Sequence, residues 1–556
     1  MDVATVAGLA IGAASLLAGI KGALDGFVFL GEVWANRAPT DSFLPIKFKI
    51  EQTRFKNWVE VNGLSQDKHC TKMLKQPAET RQLVLNILIE TSKITQDLRK
   101  MEDEYGIKIV EHGTYEPAQT IAEAMKRMTL KQAGHDQSNK SYRKAFKITL
   151  DKPKFEKLLS HLKYFNDCLE RFLPADEIRM LQQGLPCGLV PTANVETLRE
   201  LSSSSQQLLA LCAAAKSIKL TTTVSTPGIP MMRPENLLAL KIMETLRPGG
   251  PAIRASACLE HHGSTEELVI DYKPYNQSLN SEQRMEVLRR LKALYLLFNH
   301  FSKNGMVEFR ILPCIGLLQN PENTIRFDGF VFQHPQAGLQ RAESLHQLLY
   351  GKLSVPLGDR FQLAQKLASA VLLLHSSKWL HKNIRSQNIL FFRRRTAGYS
   401  TTDHITSPYL VGFSYARPDN SGEASMDRPD DGGPGNLDHY RHPNFNSGST
   451  RKNDIYSLGI ILFEIGHWRP VEKICGDDLN GTGKHIGDEH DVRRHLLDGC
   501  RKPLPSKMGT IYAAVVRRCL DGDFSSNSEQ GGEEGDDDFI HDFWSSVVRE
   551  LERCHA

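Results

Sequence analysis

The chain has 556 residues, too many for one ordinary hydrophobic core, so two or three domains are expected. Its composition, with 40% hydrophobic and 24% charged residues, is ordinary for a soluble globular protein, and a formal net charge of +4 says little about partners at this length. The ten cysteines include no CxxC pair and no ordered ladder with histidines, which argues against a zinc site or a disulfide framework. Reduced thiols in a cytosolic protein are the simpler interpretation.

The first segment, Val3–Ile20, carries no charge. A signal peptide would begin with a basic region, whereas the only charge before this segment is Asp2. As a helix these residues would span about 27 Å, close to the roughly 30 Å hydrocarbon core of a bilayer, but half of them are Ala or Gly, which insert poorly. Gly8 and Gly12 lie on one face, which suits close helix contact in a bundle or in lipid. A permanently buried helix and a conditional membrane helix both stay open.

Residues 1–215 are predicted to be helical. Apolar residues recur every three or four positions over Leu83–Tyr105 and over Phe155–Phe172, and a last helix is predicted from Val195 to about Ala214. Residues 44–62 begin with a strand-like alternation, but helical spacing returns in their second half, so we predict a helix there. The pattern as a whole predicts an N-terminal all-α helical bundle.

Residues 216–235 lose this periodicity and gain Thr, Pro and Gly, as a linker does. Beyond them, over residues 236–556, one predicted helix (Glu282–Phe301) interrupts a set of short strands, and helices then dominate. The predicted strands are Ile253–Leu259, Glu267–Tyr272, Val307–Leu318 and Arg326–Gln333, and the later helices are Asp359–His375, Asp454–Gly466 and Phe543–Cys554. This order indicates a two-lobed α+β domain. Residues 419–437 and 529–538 have the composition of mobile segments.

The strongest local signal is residues 379–390, WLHKNIRSQNIL. They align with the protein-kinase catalytic loop H-R-D-L-x-x-x-N, with His381 on the histidine and Asn388 on the metal-binding asparagine. Downstream, Asp454–Gly459 (DIYSLG) resembles the kinase segment D-x-Y-S-x-G, in which the aspartate braces the catalytic loop. Upstream, Val269–Lys273 (VIDYK) is a strand that ends in lysine, like V-A-I-K. Together these matches predict a protein-kinase-like fold.

The sequence differs from the kinase pattern at the positions that carry out the catalytic chemistry. Asn383 stands where the catalytic aspartate is expected, and a carboxamide cannot act as the general base, which contributes about 10²–10⁴-fold. Gly412 replaces the magnesium-binding aspartate of D-F-G, and glycine offers no side-chain ligand. No G-x-G-x-x-G precedes Lys273. The sequence therefore predicts a pseudokinase in which His381 and Asn383 are degenerate catalytic positions.

Three phosphate-handling positions remain, namely Lys273, Asn388 and Glu286, the last as a candidate partner of Lys273. These residues predict a vestigial nucleotide site that requires no cofactor. Binding of ATP without efficient magnesium binding stays open. A structural ion pair between Lys273 and Glu286, and a loop-capping role for Asn388, are the alternatives. Asp454 and Gly459 are predicted to be structural.

The segments HKNIRSQNILFF, YLVGF, YRHP and NDIYSLGIILFEIG resemble the kinase-like domains of a large set of fungal proteins. Those domains commonly follow a HeLo domain, the prion-inhibition and propagation domain. The N-terminal part is similar to HeLo at two places, the apolar opening helix Val3–Trp34 and the segment Phe48–Glu60, whose FKIEQTRFKNWVE follows the family pattern T-R-(x)₃-W.

This resemblance implies a regulated cell-death or heterokaryon-incompatibility factor. It implies a cytoplasmic, non-catalytic switch in which the pseudokinase receives an upstream protein activator. The helical bundle then self-associates, exposes its first helix and disturbs an anionic membrane surface, conditionally at the plasma membrane. In that state Gly8 and Gly12 are the expected membrane or oligomerisation residues.

A basic run from Lys126 to Lys157 has ten Lys or Arg against three acids. Near an anionic leaflet each such charge contributes about 1 kcal/mol, and the run lacks the interleaved aromatic residues of a nucleic-acid platform, so no nucleic-acid partner is predicted. A solvated basic loop stays open as the simplest interpretation. Two other functions also stay open: an atypical active ATP-dependent kinase that uses Asp271, Asp403 or a loop acid, and a scaffold whose bundle binds a protein partner without touching lipid.

Overall fold

The structure is a computed structural model in which the chain folds into two compact units, Met1–Leu189 and Val190–Ala556. The residues that it describes are 18–28, 30, 43–64, 73, 75–111, 146–221, 229–245, 252–261, 264–274, 281–303, 307–318, 327–336, 339–351, 353–394, 404–419, 439–443, 450–480, 489–524 and 533–556.

The N-terminal unit is mainly helical, as predicted. After the helical residues 18–28 come α1 (Phe43–Val61), α2 (Ala78–Gln96), α3 (Leu98–Tyr105), α4 (Lys152–Glu170) and α5 (Ala175–Leu189). Helix α1 packs on α4 and α5 because its buried side chains, among them Phe48, Phe55 and Val59, recur at helical spacing. The helix predicted over residues 44–62 is therefore confirmed.

The helix predicted over Leu83–Tyr105 is interrupted at Asp97. This residue has an extended backbone, and its carboxylate accepts two backbone N–H groups of the next turn at 3.0 Å, so it caps α3. Gly106 then ends α3 in the left-handed conformation, with φ at +65°, and supplies the predicted stop. The following β1 (Ile107–Glu111) pairs antiparallel with β2 (Phe146–Leu150), a small sheet that the helical prediction missed.

Two helices, α6 (Val195–Ser202) and α7 (Gln207–Thr221), open the C-terminal unit where one helix ending near Ala214 was predicted. The break follows a serine run, and serine hydroxyls compete with the helix for backbone hydrogen bonds. Helix α7 packs on α6 and on α8 (Ser281–Lys303) of the same unit.

Lys216 of α7 holds the beginning of this unit. Its buried Nζ donates hydrogen bonds to the carbonyl oxygens of Val190, Pro191 and Ala193 at 3.0, 2.8 and 2.8 Å. Residues 190–221 therefore belong to the C-terminal unit, whereas the sequence pattern placed them in the bundle and the linker. The predicted linker begins inside a helix, because α7 continues to Thr221.

A six-stranded sheet has the strand order β3-β7-β8-β6-β5-β4, and only the β3–β7 pair is parallel. Its strands are β3 (Met231–Met232), β4 (Leu238–Thr245), β5 (Ala252–His261), β6 (Ser264–Pro274), β7 (Cys314–Leu318) and β8 (Phe327–Gln333). Strands β5, β6 and β8 were predicted, and β4 was not. The strand predicted from Val307 begins only at Cys314, since residues 307–313 are turn and irregular structure with a single bridge.

Helix α8 lies against this sheet through the buried ring of Phe298. The Phe298 ring centroid is 5.2 Å from that of Phe330 and 5.6 Å from that of Phe332, both on β8. It is also 4.9 Å from the ring of Phe413, in the segment that carries Gly412. The sheet, α8 and the Gly412 segment thus share one core.

The rest of the unit is mostly helical. Its helices are α9 (Leu345–Tyr350), α10 (Leu357–Ser376), α11 (Arg451–His467), α12 (Val471–Asn480), α13 (Glu489–Arg501), α14 (Pro503–Asp521), α15 (Glu533–Phe543) and α16 (Arg549–Glu552). Its short strands are β9 (Leu339–Ser344), β10 (Trp379–Leu380), β11 (Ile389–Arg394), β12 (Tyr409–Leu410) and β13 (Arg417–Pro418). Strands β9, β11 and β12 form one small sheet, and β10 pairs with β13.

The structure corrects two predictions about the end of the chain. The C-terminal helix predicted over Phe543–Cys554 is preceded by α15 and contains a π-helical turn at Trp544–Val548. Residues 533–538, predicted as part of a mobile acidic segment, are helical, and residues 420–437 lie outside the described residues. No described helix is long and apolar enough to cross a bilayer, while residues 3–17 of the first apolar segment are outside the described part of the chain.

Candidate functional site

The loop between β10 and β11 is anchored by Asp454 of helix α11. The Asp454 carboxylate accepts the backbone N–H of His381 at 2.7 Å and that of Lys382 at 2.8 Å, and its Oδ2 lies 3.1 Å from Nε2 of His375. Burial alone would raise the pKa of Asp454, but the hydrogen bond and charge of His375 outweigh burial and hold the pKa below its ordinary value. Asp454 therefore fixes the loop backbone.

Gly459 lies one turn further along α11, where that helix packs on α14. A Cβ atom at Gly459 would lie 2.8 Å from Cβ of Cys519 and 3.2 Å from Cδ2 of Leu520, so a larger side chain would force the two helices apart. This position has a packing role.

The structure brings Asn383, Asn388 and Gly412 together. The Asn383 side-chain amide donates to the carbonyl of Gly412 at 3.3 Å, and the Asn388 amide donates to the carbonyl of Asn383 at 2.8 Å. The backbone N–H of Asn383 lies 3.2 Å from Nδ1 of His381. The two positions that lack the expected carboxylates are thus joined to each other and to the expected metal-binding asparagine.

Arg254 of strand β5 reaches this cluster from the sheet. Its side chain is 1% exposed, and its guanidinium donates to the carbonyl oxygen of Gln387 and to Oδ1 of Asn388, both at 2.7 Å. The same guanidinium lies 3.3 Å from Oδ1 of Asp271 on β6. Asp271 Oδ2 in turn accepts the backbone N–H of Gly412 at 2.8 Å.

Burial raises the pKa of Asp271, and the attraction of Arg254 and the N–H of Gly412 oppose this effect. A buried charge without a partner of opposite sign is strongly destabilising, and here the carboxylate and the guanidinium compensate each other. Arg254 and Asp271 therefore form an ion pair that joins the sheet to Gln387, Asn388 and Gly412.

The residues present do not fit the magnesium ion that the kinase resemblance implies. The Asn388 oxygen that would bind the metal accepts a hydrogen bond from Arg254, and Gly412 has no carboxylate. Gly412 has φ at +83°, and a Cβ atom there would overlap the side-chain amide of Asn388. An aspartate at this position would need a different local arrangement.

The remaining predicted site residues stay untested. Lys273 lies on β6 and Glu286 on α8, but their side chains are outside what the structure describes. Asp403, Gly8 and Gly12 are outside the described residues altogether. Asp271, proposed above as an alternative catalytic carboxylate, is 3% exposed at its side chain and is engaged by Arg254 and Gly412.

Sequence reasoning missed Arg254. It belongs to no motif, and it lies more than 130 residues before its partners Gln387 and Asn388. The one available signal was a charged residue within a predicted strand, Ile253–Leu259, that is otherwise uncharged. Such a residue on a central strand needs a partner.

The described end of the first apolar segment is packed in the N-terminal unit. Ala23 and Phe27 are buried, and the Phe27 ring stacks on Phe55 with a centroid separation of 5.2 Å. The side-chain amide of Gln52 donates to the carbonyl of Phe27 at 2.8 Å. Gly26 meets Thr95 of α2 so closely that a Cβ atom would overlap the threonine side chain.

Comparison with known proteins gives two family matches. The model of HeLo, prion-inhibition and propagation, matches residues 8–201, and the model of a domain of unknown function (DUF7580) matches residues 315–554. Over 176 residues the chain is 27% identical to "leaf rust 10 disease-resistance locus receptor-like protein kinase-like 1.1" of Arabidopsis thaliana. That match covers 30% of this chain and 25% of the plant protein, so the chain matches about a quarter of the relative's length. The HeLo match suggests an N-terminal helical domain of the fungal cell-death or incompatibility type.

Proposed function

We propose that this protein is a non-catalytic signalling switch. In it a pseudokinase-type C-terminal unit regulates an N-terminal HeLo-type bundle, which oligomerises and perturbs membranes once it is released. The observation that carries the proposal is the set of hydrogen bonds around Asn388, where Arg254, Asn383 and Gly412 stand in place of a metal and its carboxylates.

The kinase-type assignment draws support from two features of the C-terminal unit and from one comparison. One long helix, α8, lies in the chain between β6 and β7 of a mostly antiparallel sheet, and a helical part follows. The loop at His381 is held by a buried aspartate of α11, as the alignment with kinase motifs requires. The distant identity to a plant receptor-like kinase points the same way.

The absence of catalysis follows from the chemistry of the aligned positions. Asn383 cannot accept a proton from a substrate hydroxyl, and Gly412 cannot bind a metal through a side chain. Asp271, a buried carboxylate at this site, is paired with Arg254 and hydrogen-bonded to Gly412. Phosphoryl transfer depends on positioned metal and base, so this unit is proposed to act by binding rather than by catalysis.

The bundle is proposed to act through its first segment. Residues 18–28 form a packed helix, held by Gln52 and by close contact at Gly26, while residues 3–17 before them are uncharged and marginal for insertion. An upstream protein activator, acting on the C-terminal unit, would release this segment toward an anionic membrane. At rest the protein is proposed to be cytoplasmic.

Leakage of vesicles rich in anionic lipid tests this function. We expect fragment 1–189 to release a trapped dye faster than the full chain, and deletion of residues 2–20 or the Gly8→Leu substitution to reduce leakage strongly. Vesicles of neutral lipid are the control, since they should leak less. If the deletion and Gly8→Leu both left membrane binding and leakage unchanged, the membrane role would be wrong and a protein-binding scaffold would remain.

Transfer of labelled phosphate tests the second part of the proposal. We expect the purified full chain to transfer none to itself or to a general protein substrate, with and without magnesium. Transfer that disappears in Lys273→Met would instead establish an atypical kinase.

A further inference from the structure

Three oxygen acceptors from two segments of the chain converge on the Arg254 guanidinium. They are the Asp271 carboxylate on β6, the side-chain oxygen of Asn388 and the carbonyl oxygen of Gln387. A carboxylate, an amide oxygen and a backbone carbonyl are together the ligand types that hard divalent cations prefer. The pocket therefore has the chemistry of a cation site.

Arginine suits this set of acceptors for a geometric reason. The guanidinium is planar, always charged and carries several donors in a fixed fork, so its Nη1 and Nη2 atoms serve acceptors on different segments at once. Here Nη1 serves Gln387, and Nη2 serves Asn388 and Asp271. Burial to 1% exposure excludes bulk water from the pair.

The site also connects two parts of the C-terminal unit. Arg254 and Asp271 come from neighbouring strands of the six-stranded sheet, where they pair directly in the β5–β6 register. Gln387, Asn388 and Gly412 belong to the segments that follow β10 and β12. Breaking the Arg254 contacts would therefore loosen the sheet from those segments.

We infer that Arg254 is a tethered cation in a site formed by Asp271, Asn388 and the Gln387 carbonyl. Arg254 thereby holds the sheet to Gln387 and Asn388 without a divalent metal or a nucleotide. This inference deepens the proposed function and rests on its non-catalytic part, but it concerns a cation site and requires no membrane activity, so it can fail while the membrane role stands. It implies that removal of the arginine exposes a site for a divalent cation.

The test uses hydrogen exchange of the full chain, read by mass spectrometry in peptides that cover residues 252–274 and 381–394. In the wild type, 10 mM magnesium or calcium, with or without ATP, should leave exchange unchanged. In Arg254→Ala, exchange of these peptides should rise at least tenfold, and the divalent cation should restore most of the protection. In the double variant Arg254→Ala/Asp271→Asn, the cation should restore none.

Several results would overturn the inference. In the first, exchange of the wild type responds to magnesium and ATP as strongly as that of the variant does. In the second, no divalent cation slows exchange of Arg254→Ala. In the third, the cation protects the double variant as well as it protects Arg254→Ala. If Arg254→Ala does not fold, Arg254→Lys decides in the same assay. One ammonium group cannot reproduce the fork, so exchange in these peptides should rise about tenfold, and unchanged exchange would refute the role of Arg254.

Discussion

At the scale of single residues, Arg54 and Trp58 show what the arginine and the tryptophan do in the segment of this chain that resembles HeLo. The Arg54 guanidinium is 5% exposed and contacts the carboxylates of Glu51, Asp167 and Glu170 at 2.9, 2.7 and 2.8 Å. Trp58, one turn later, donates its indole N–H to the carbonyl of Leu169 at 3.2 Å. Both side chains thus fasten helix α1 to the C-terminal end of α4.

Arg54→Ala should destabilise the N-terminal unit by about 3 kcal/mol, because it leaves buried Glu51 without its cation. The estimate takes the low end of the usual range, since Asp167 and Glu170 are 42% and 25% exposed and water screens them. Urea unfolding monitored by exchange of residues 43–64 measures the effect. The matched control is Lys93→Ala, whose pair with Glu90 is exposed and should change stability by no more than about 0.5 kcal/mol.

Glu464 makes stability depend on pH. Its buried carboxylate accepts hydrogen bonds from Tyr440 and from the backbone N–H of Val471, both at 2.8 Å, and burial raises its pKa to about 8. Between the ordinary glutamate pKa of 4.5 and about 8, the folded chain keeps a proton that the unfolded chain has lost. The contribution of this proton to the free energy of unfolding is complete below pH 4.5 and is lost as the pH rises from 4.5 to about 8.

Glu464→Gln should remove this dependence, because glutamine keeps the acceptor oxygen and does not titrate. Relative to the wild type, the variant should gain about 1 kcal/mol of stability per pH unit between pH 5 and 8, and nothing further above that range. Thermal unfolding from pH 5 to 9 measures the difference. Parallel pH profiles for the two proteins would show that Glu464 does not carry the proton.

The loop residues of the site could be predicted from the sequence, but Arg254, the buried cation that contacts them, could not. The loop residues His381, Asn383 and Asn388 lie within eight positions, so a short motif identifies them together. Arg254 meets them only after the sheet has formed, and a pairing between residues so far apart leaves no local pattern. Long-range polar contacts of this kind are set by topology.

At the scale of elements, helices were predicted well where an apolar stripe and a stop coincide, as at Gly106. The break at Asp97 was missed because the apolar period continues through it, and only the capping role of the aspartate interrupts the helix. Strand β4 was missed for another reason: Leu238, Leu240 and Ile242 alternate but are 47–57% exposed at the edge of the sheet. Burial therefore did not impose a clear strand pattern there.

The contact of helical residues 18–28 with α2 gives a prediction at this scale. Gly26→Ala places a methyl group in the Thr95 side chain, and overpacking of this kind costs about 1–3 kcal/mol. Exchange in residues 18–28 should rise and, if release drives leakage, vesicles should leak without an activator. Gly19→Ala is a graded control, because its Cβ would lie 3.3 Å from Cβ of Leu88 and needs only a small adjustment.

A second substitution separates packing from an unrelated effect of alanine. Thr95→Gly removes both side-chain atoms that the new methyl group would overlap, Oγ1 and Cβ, so Gly26→Ala/Thr95→Gly should recover part of the protection in residues 18–28. If the double variant were no better protected than Gly26→Ala alone, close packing on α2 would not be what holds this helix.

At the scale of the whole molecule, the family match and the packing of the helices divide the chain differently. The HeLo match extends to residue 201, whereas the C-terminal unit begins at Val190. Helix α7 explains the difference, because it packs on α8 and its Ala215 carbonyl accepts the indole N–H of Trp379 at 3.4 Å. Sequence periodicity identifies such a helix but does not reveal which neighbour covers it.

A fragment that begins at residue 236 should therefore be less stable than one that begins at residue 190. The shorter fragment loses the buried Leu209 and Leu211 of α7 and uncovers part of α8 and the Trp379 indole. Burial of two leucines contributes about 3–6 kcal/mol, an upper bound because unfolded chains already bury some surface. Urea unfolding of both fragments, followed by tryptophan fluorescence, measures the loss. Equal midpoints would mean that α7 belongs energetically to the bundle, and a lower midpoint for 236–556 would make α7 an integral part of the C-terminal unit.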